Sequence, residues 1–180
     1  MFDFTSLTLK PKSECPATLI DLFGQLDRKA THISLRPAQA AALKKLDEQA
    51  GKKDVVLKLS TGSGKTVVGL VYAEMMRCRY KGDPILYVCP TIQLVEQVLQ
   101  SAQAIGAPAS TFPASGLPFE ALAGESILVC TYDRMFNAVS RLEANGARPS
   151  AIVLDDVHAG VERVRGCYTC LLYTSDAADE

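Results

Sequence analysis

The sequence contains no tryptophan and only two histidines. None of its apolar runs approaches the length of a membrane span, and its N-terminal residues lack the charged-then-apolar order of a signal peptide. The expected location is therefore the cytoplasm, without a membrane partner. The net charge of −1 excludes a strongly basic protein, although a local basic groove remains compatible with it. With 48% hydrophobic and 22% charged residues in 180 positions, the composition is typical of one globular domain.

Cysteine occurs six times, but not in the arrangement of a zinc site. The one C-x-x-C pair is Cys167 and Cys170, and neither a second pair nor a histidine cluster accompanies it. Cys89 and Cys130 end apolar segments, where a thiol behaves as a small buried hydrophobe. The pattern predicts reduced, structural thiols and no structural metal.

The most informative stretch is Leu57 to Thr66, LKLSTGSGKT. A predicted strand enters a glycine- and serine-rich turn, and an apolar helical pattern follows. The glycines let backbone N–H groups converge on a phosphate, and the helix N-terminus adds partial positive charge. We expect Lys65 to reach the β- and γ-phosphates and Thr66 to hold Mg²⁺. The predicted nucleotide-binding residues are Thr61, Gly62, Ser63, Gly64, Lys65 and Thr66. An incidental turn with a lysine is the alternative, and Leu59 stands where such loops usually begin with glycine or alanine.

Apolar segments of strand length alternate with helical patterns along the rest of the chain, which predicts an α/β fold with a mainly parallel sheet and helices on both faces. Ligands bind such sheets at the carboxyl ends of the strands. A further short strand is expected near Ala109. The predicted strands are Val55–Leu59, Ile85–Cys89, Ile127–Cys130 and Ala151–Leu154. The predicted helices are Pro16–Leu26, one between Ser34 and Gly51, Lys65–Arg79, Ile92–Ala104 and Tyr132–Ala144.

Two polar clusters lie where ligands of such a sheet would bind. Asp155 and Asp156 follow a buried strand, where Asp155 could hold Mg²⁺ and Asp156 could orient the attacking water. His158 could reach the γ-phosphate or a neighbouring domain. Upstream, Gln39 could pair with an adenine edge, since its amide offers both a donor and an acceptor. The alternatives are ordinary turn chemistry for the aspartates and a solvated surface glutamine.

Five motifs follow one another in order: RPAQ (Arg36–Gln39), STGSGKT (Ser60–Thr66), PTIQLVEQ (Pro90–Gln97), VCTYDRM (Val129–Met135) and VLDDVH (Val153–His158). Together they resemble the motifs of superfamily 2 helicases, nearer to the restriction-enzyme motor subunits than to the DEAD-box group. The resemblance implies a RecA-like P-loop motor domain that uses ATP and Mg²⁺. It also implies that Thr91, Gln97 and Thr131 lie near a nucleic-acid backbone, with DNA favoured over RNA. One departure is Asp156, where such helicases usually carry glutamate.

The ends of the chain are read separately from this domain. Residues 1–33 are expected to be an N-terminal accessory segment, and residues 34–169 a C-terminally truncated helicase ATP-binding domain. Cys170–Glu180 (CLLYTSDAADE) resembles the translation of a sequencing-library adapter, so the native chain is expected to continue with a second RecA-like domain. Alone, the fragment should bind ATP weakly and hydrolyse it very slowly. Two alternative functions stay open: an ATP-gated nucleic-acid clamp with weak catalysis, and a P-loop kinase or transporter-type ATPase.

Overall fold

The strands of the protein form a four-stranded sheet in which every pairing is parallel. The computed structural model describes residues 15–27, 34–60, 62–113, 118–135 and 148–168. In this part of the chain the strands are β1 (Ile85–Cys89), β2 (Ala109–Ser110), β3 (Ile127–Thr131) and β4 (Ala151–Leu154), arranged in the order β2-β3-β1-β4. The helices are α1 (Leu19–Gln25), α2 (Pro37–Asp47), α3 (Lys65–Arg79), α4 (Ile92–Ile105), α5 (Phe119–Leu122), α6 (described over residues 132–135) and α7 (Val157–Tyr168).

Apolar side chains cover both faces of this sheet. All five residues of β1 are buried, so alternate positions of the strand supply two separate cores. On one face Ile85, Tyr87 and Cys89 pack with α1, α2, α3 and α4. On the other face Leu86 and Val88 pack with residues of β3, α5 and α6. The predicted α/β fold with helices on both faces is confirmed.

Local sequence signals explain where the helices begin. Thr18 caps α1, because its side chain accepts a hydrogen bond from the Asp21 backbone N–H. Pro37 occupies the first turn of α2, where its missing N–H has no intrahelical partner to lose. The end of α4 has Gly106 in the left-handed conformation that glycine adopts without strain. The predicted bounds of α3 are confirmed at both ends, and those of α4 to within one residue.

The structure differs from the sequence-based prediction over Val55–Leu59, which forms no strand. Only Val55 and Leu59 pack against the core, while Val56 is 94% exposed and Leu57 37% exposed. A strand with one buried face would bury residue 57 together with 55 and 59. The segment also makes no ladder with β4, so propensity for extended structure is not supported here by a paired neighbour.

Several other predictions concern residues that lie partly or wholly outside the described ranges. The helix predicted from Tyr132 to Ala144 begins as expected, but residues 136–147 lie outside the described residues. The same holds for Thr61, for the side chain of Cys167, and for the tail from Cys170 to Glu180. In contrast, α5 and α7 are helices that the sequence patterns did not indicate. No helix in the described ranges has the length and apolar character needed to cross a membrane.

Helix α3 contains a largely buried ion pair, and its arginine also contacts the turn that precedes β3. The Arg77 guanidinium in α3 contacts both carboxylate oxygens of Glu74 at 2.6 and 2.7 Å. It also donates to the backbone carbonyl of Gly124 at 3.2 Å, in the turn that precedes β3. Since the Glu74 side chain is only 7% exposed, the pair satisfies a carboxylate that solvent barely reaches.

Candidate functional site

The glycine- and serine-rich turn opens directly into the N-terminus of α3, as a phosphate-binding loop requires. Gly62 and Gly64 have φ values of 78° and 80°, in the left-handed region that favours glycine. A Cβ added at Gly62 would meet no atom within 4 Å, so the loop is open on that side. Lys65 is exposed, and Ser63 and Thr66 are half-buried. The first turn of α3 directs unpaired backbone N–H groups and the positive end of the helix dipole toward this opening.

The RPAQ motif at the start of α2 makes hydrogen bonds to the backbone of this loop. The Arg36 guanidinium donates to the Gly62 carbonyl at 3.1 Å, and the Gln39 amide nitrogen donates to the Gly64 carbonyl at 3.2 Å. The Gln39 amide oxygen accepts from the Arg36 backbone N–H at 2.8 Å. Gln39 is 5% exposed, so both ends of its amide are engaged within the protein. The contacts place Gln39 as a brace for the loop, which it engages through the Gly64 carbonyl and not through an N–H group.

The strand end at Asp155 faces the phosphate loop. Burial raises the pKa of the Asp155 carboxyl above its ordinary value, and the nearby Asp156 charge acts in the same direction. The Asp156 backbone N–H, the Lys65 ammonium and the Tyr87 hydroxyl lower this pKa, but they do not outweigh burial. The Lys65 ammonium at the start of α3 therefore acts electrostatically on the Asp155 carboxyl at the end of β4. The structure brings together the two residues that the sequence assigned to phosphate and metal.

Asp156 and His158 occupy the turn that follows. Asp156 has a φ of 46°, the one non-glycine residue with positive φ in the described part of the chain. Its carboxylate accepts from the Ala159 backbone N–H at 3.5 Å, and its carbonyl accepts from the Gly160 N–H at 3.0 Å. Asp156 thus acts as a cap for α7. Asp156 and His158 are both exposed on the same edge as the phosphate loop.

The donor atoms on this edge fit Mg²⁺ better than they fit a transition metal. Magnesium is held in nucleotide sites by one or two carboxylates, together with phosphates and waters. The Asp155 carboxylate and the Thr66 hydroxyl are hard oxygen donors of this kind. No group of three or more histidine, cysteine or acidic side chains among the described residues is arranged for metal binding.

A cavity lies at the carboxyl ends of β1 and β3. It has a volume of about 390 Å³ and is lined by Pro90, Thr91, Ile92, Gln93, Thr131 and Asp133. The register pairs Cys89 with Thr131, which brings the two predicted threonines to the same edge. Both hydroxyls cap a helix: that of Thr91 accepts from the Leu94 N–H and that of Thr131 from the Arg134 N–H, each at 3.3 Å. Each hydroxyl retains its own hydrogen as a donor.

The third residue predicted at a nucleic-acid backbone, Gln97, does not line this cavity. It lies on an exposed position of α4, and its backbone carbonyl accepts from the Ser101 hydroxyl at 2.8 Å. Arg134 is exposed beside the cavity, with its guanidinium 5.2 Å from the centre of the Phe112 ring. A cation and two hydroxyl donors thus lie together on this edge.

Comparison with protein families identifies the chain. Residues 32–173 match the family model described as type III restriction enzyme, res subunit. The chain belongs to this family. The res-subunit family implies an ATP-dependent, helicase-like motor domain of the superfamily 2 type, in agreement with the parallel sheet and the phosphate loop. Comparison with curated proteins gives no match to the chain.

For this res-subunit domain the sequence motifs missed three side chains that organise the site. Arg36 lies within the RPAQ motif, yet its contact with the loop follows only from the packing of α2 against α3. Tyr87 faces the Asp155 carboxylate from β1, and Tyr132 donates to the Asp155 backbone carbonyl at 2.8 Å. Both tyrosines are buried, Tyr87 in β1 and Tyr132 at the start of α6, and in the sequence they look like ordinary core residues.

Proposed function

We propose that this chain is the N-terminal motor domain of a nucleic-acid helicase or translocase, which binds MgATP and hydrolyses it to drive movement on the polymer. The proposal is supported by the position of the glycine-rich turn and Lys65 at the start of α3 and of Asp155 directly after β4, where the Lys65 charge lowers the pKa of the Asp155 carboxyl. On the same edge lies the cavity with Thr91 and Thr131. The proposed phosphate site and the proposed polymer site would then share one edge of the sheet, as a motor requires.

The residue roles follow from this arrangement. The loop N–H groups of residues 61–66, together with Lys65, would bind the β- and γ-phosphates, while Thr66 and Asp155 would hold Mg²⁺. When bound, the metal would neutralise charge that develops on the phosphates. Asp156 would orient the attacking water, with His158 beside it. Gln39, which lies beside the loop at Gly64, would pair with the adenine edge.

Nucleic acid, DNA before RNA, is the proposed polymer. Thr91 and Thr131 would donate their hydroxyl hydrogens to the backbone phosphates, and Gln97 would contact the polymer further along α4. A second RecA-like domain would supply the arginine that stabilises the transition state, an effect of about 10³–10⁵ in rate in related phosphoryl transfers. The domain limits 34–169 and a cytoplasmic location are part of the same proposal.

The decisive experiment is an ATPase assay of the protein carrying its second domain, with and without DNA or RNA. Polymer-stimulated hydrolysis that is lost in Asp156→Ala would support a motor and identify its polymer. The 180-residue chain itself should bind ATP weakly and hydrolyse it very slowly. A turnover of this chain alone that equals the two-domain protein would contradict the need for the second domain.

One observation favours a second candidate, an ATP-gated nucleic-acid clamp. The Asp156 carboxylate is directed to the N-terminus of α7, where it caps the helix, and aspartate is one methylene shorter than glutamate. A displacement of about 1 Å at a catalytic group can lower a rate on the order of a hundredfold. ATP-dependent nucleic-acid binding without stimulated hydrolysis would identify the clamp. Single-turnover hydrolysis by the two-domain protein would separate it from an active motor.

A further inference from the structure

Tyr132 lies between the Thr91–Thr131 cavity and the acidic turn at Asp155 and Asp156, to which it makes a buried hydrogen bond. Its side chain is 3% exposed and belongs to the core on the α5 and α6 face of the sheet. Its hydroxyl donates to the backbone carbonyl of Asp155 at 2.8 Å. The residues on either side of it in the chain, Thr131 and Asp133, line the cavity at the ends of β1 and β3. One residue therefore contacts the acidic turn while its neighbours form the candidate polymer site.

The contact acts on the conformation of Asp156 because the Asp155 carbonyl and the Asp156 N–H belong to one planar peptide unit. On the N-terminal side, the Asp155 N–H is fixed to the Val88 carbonyl at 2.9 Å. On the C-terminal side, Asp156 has a φ of 46°, which a non-glycine residue holds only when its surroundings favour it. The Tyr132 hydroxyl holds the carbonyl that lies between these two points. Rotating that peptide would change φ of Asp156 directly.

The position of the ring is itself fixed by a glycine. A Cβ added at Gly160 in α7 would lie 2.4 Å from Cζ and 2.6 Å from the hydroxyl oxygen of Tyr132. The ring therefore packs directly against the backbone of the helix that begins at the acidic turn. The Gly160 N–H in turn donates to the Asp156 carbonyl at 3.0 Å. Tyr132 thus contacts the Asp155 carbonyl and the backbone at Gly160, and the Gly160 N–H contacts the Asp156 carbonyl.

We propose that Tyr132 is a positioning residue that couples occupation of the Thr91–Thr131 cavity by a nucleic-acid phosphate to the geometry of Asp155 and Asp156. A ligand that moves the end of β3 moves Tyr132, and the hydroxyl transmits this movement to the peptide that sets the acidic turn. The inference rests on the proposed function, because it takes the cavity as the polymer site and the acidic turn as the metal site. Coupling of this kind is reciprocal, so nucleotide and polymer alter each other's affinity by the same factor.

The test measures that factor in the 180-residue chain, using fluorescent MgADP and a single-stranded DNA oligonucleotide as probes. For the unchanged protein we expect the oligonucleotide at saturation to change the MgADP dissociation constant by at least about fivefold. In Tyr132→Phe the factor should fall to near one, while each ligand alone still binds with an affinity within about twofold of the original. Tyr72→Phe, which removes a hydroxyl from a half-buried tyrosine of α3, is the matched control and should keep the full factor.

Gly160→Ala provides a second route to the same contact, since it keeps the hydroxyl but displaces the ring. It should also reduce the factor, and it keeps the test meaningful if Tyr132→Phe does not fold. Unchanged coupling in both folded variants would overturn the proposal, as would two ligands that bind the unchanged protein independently. Failure of the unchanged chain to bind MgADP at all would instead contradict the proposed function.

Discussion

Replacing Gly64 by alanine tests the phosphate loop and its brace together. Gly64 has a φ of 80°, and a Cβ at this position would lie 2.1 Å from the amide nitrogen of Gln39. Gln39 is buried and makes two hydrogen bonds there, to the Gly64 carbonyl at 3.2 Å and from the Arg36 N–H at 2.8 Å. Because the amide is the end of a flexible side chain, it will move before the backbone of the loop does. The substitution therefore strains the backbone at residue 64 and breaks the hydrogen bonds of Gln39.

The cost follows from these contacts. A left-handed backbone costs an alanine about 1–2 kcal/mol relative to glycine. Each hydrogen bond lost with Gln39 contributes about 0.5–1.5 kcal/mol. We therefore expect Gly64→Ala to lower the free energy of unfolding by about 2–5 kcal/mol, measured by urea denaturation. In a domain of this size, each kcal/mol corresponds to a Tm decrease of roughly 2–4 °C.

Gly62→Ala is the matched control, because Gly62 has a φ of 78° but a Cβ there would meet nothing within 4 Å. It should lose only the backbone contribution of about 1–2 kcal/mol. A double-mutant cycle isolates the rest: in the Gln39→Ala background, Gly64→Ala should cost no more than Gly62→Ala. Equal losses for the two glycine variants in the unchanged background would refute the brace, and so would strict additivity in the cycle.

Two further predictions concern buried charges. Burial raises the pKa of Asp155, so the native state binds more protons than the unfolded state as pH rises above the ordinary value of 3.8, and stability falls through that window. Asp155→Asn should therefore have a higher Tm than the unchanged protein at neutral pH, and this difference should vanish below pH 3.8. The same variant should lose Mg²⁺-dependent nucleotide binding. A lower Tm at neutral pH would contradict the burial argument. Arg77→Met leaves Glu74, 7% exposed, without its cation and should cost about 3–5 kcal/mol in urea denaturation. Arg165→Met, which breaks an exposed pair with Glu162, should cost less than about 1 kcal/mol, and equal losses would refute the difference.

The sequence predicted the elements whose signals are local. The bounds of α3, β1 and β4 agree with the prediction, because an apolar run or a helical stripe is bounded by a turn or a break in each case. The phosphate loop could be located because glycine, lysine and threonine occur at fixed spacing between an extended and a helical pattern. Thr91 and Thr131 lie on one edge for a similar reason, since the carboxyl ends of parallel strands meet there.

Other features depend on contacts between segments that are distant in the chain, and the sequence did not predict these features. Residues 55–59 have the composition of a strand, but the ladder that would make them one is absent. The amide of Gln39 was predicted to be near the nucleotide, and its bonds to the loop depend on the packing of α2 against α3. The left-handed conformation of Asp156 likewise follows from β4, α7 and Tyr132 together, and aspartate alone does not encode it.

The surroundings of the Asp155 carboxyl favour its neutral form. Two tyrosines from opposite faces of the sheet act on Asp155: Tyr87 lowers the pKa of its carboxyl, and Tyr132 donates its hydroxyl hydrogen to the Asp155 backbone carbonyl. Neither hydroxyl carries charge, and with the attraction of Lys65 added, burial still raises the pKa of this carboxyl. The charged form of Asp155 therefore destabilises the protein at neutral pH. A divalent cation bound there with a nucleotide would remove that cost, and Asp155 would then link nucleotide binding to the stability of the domain.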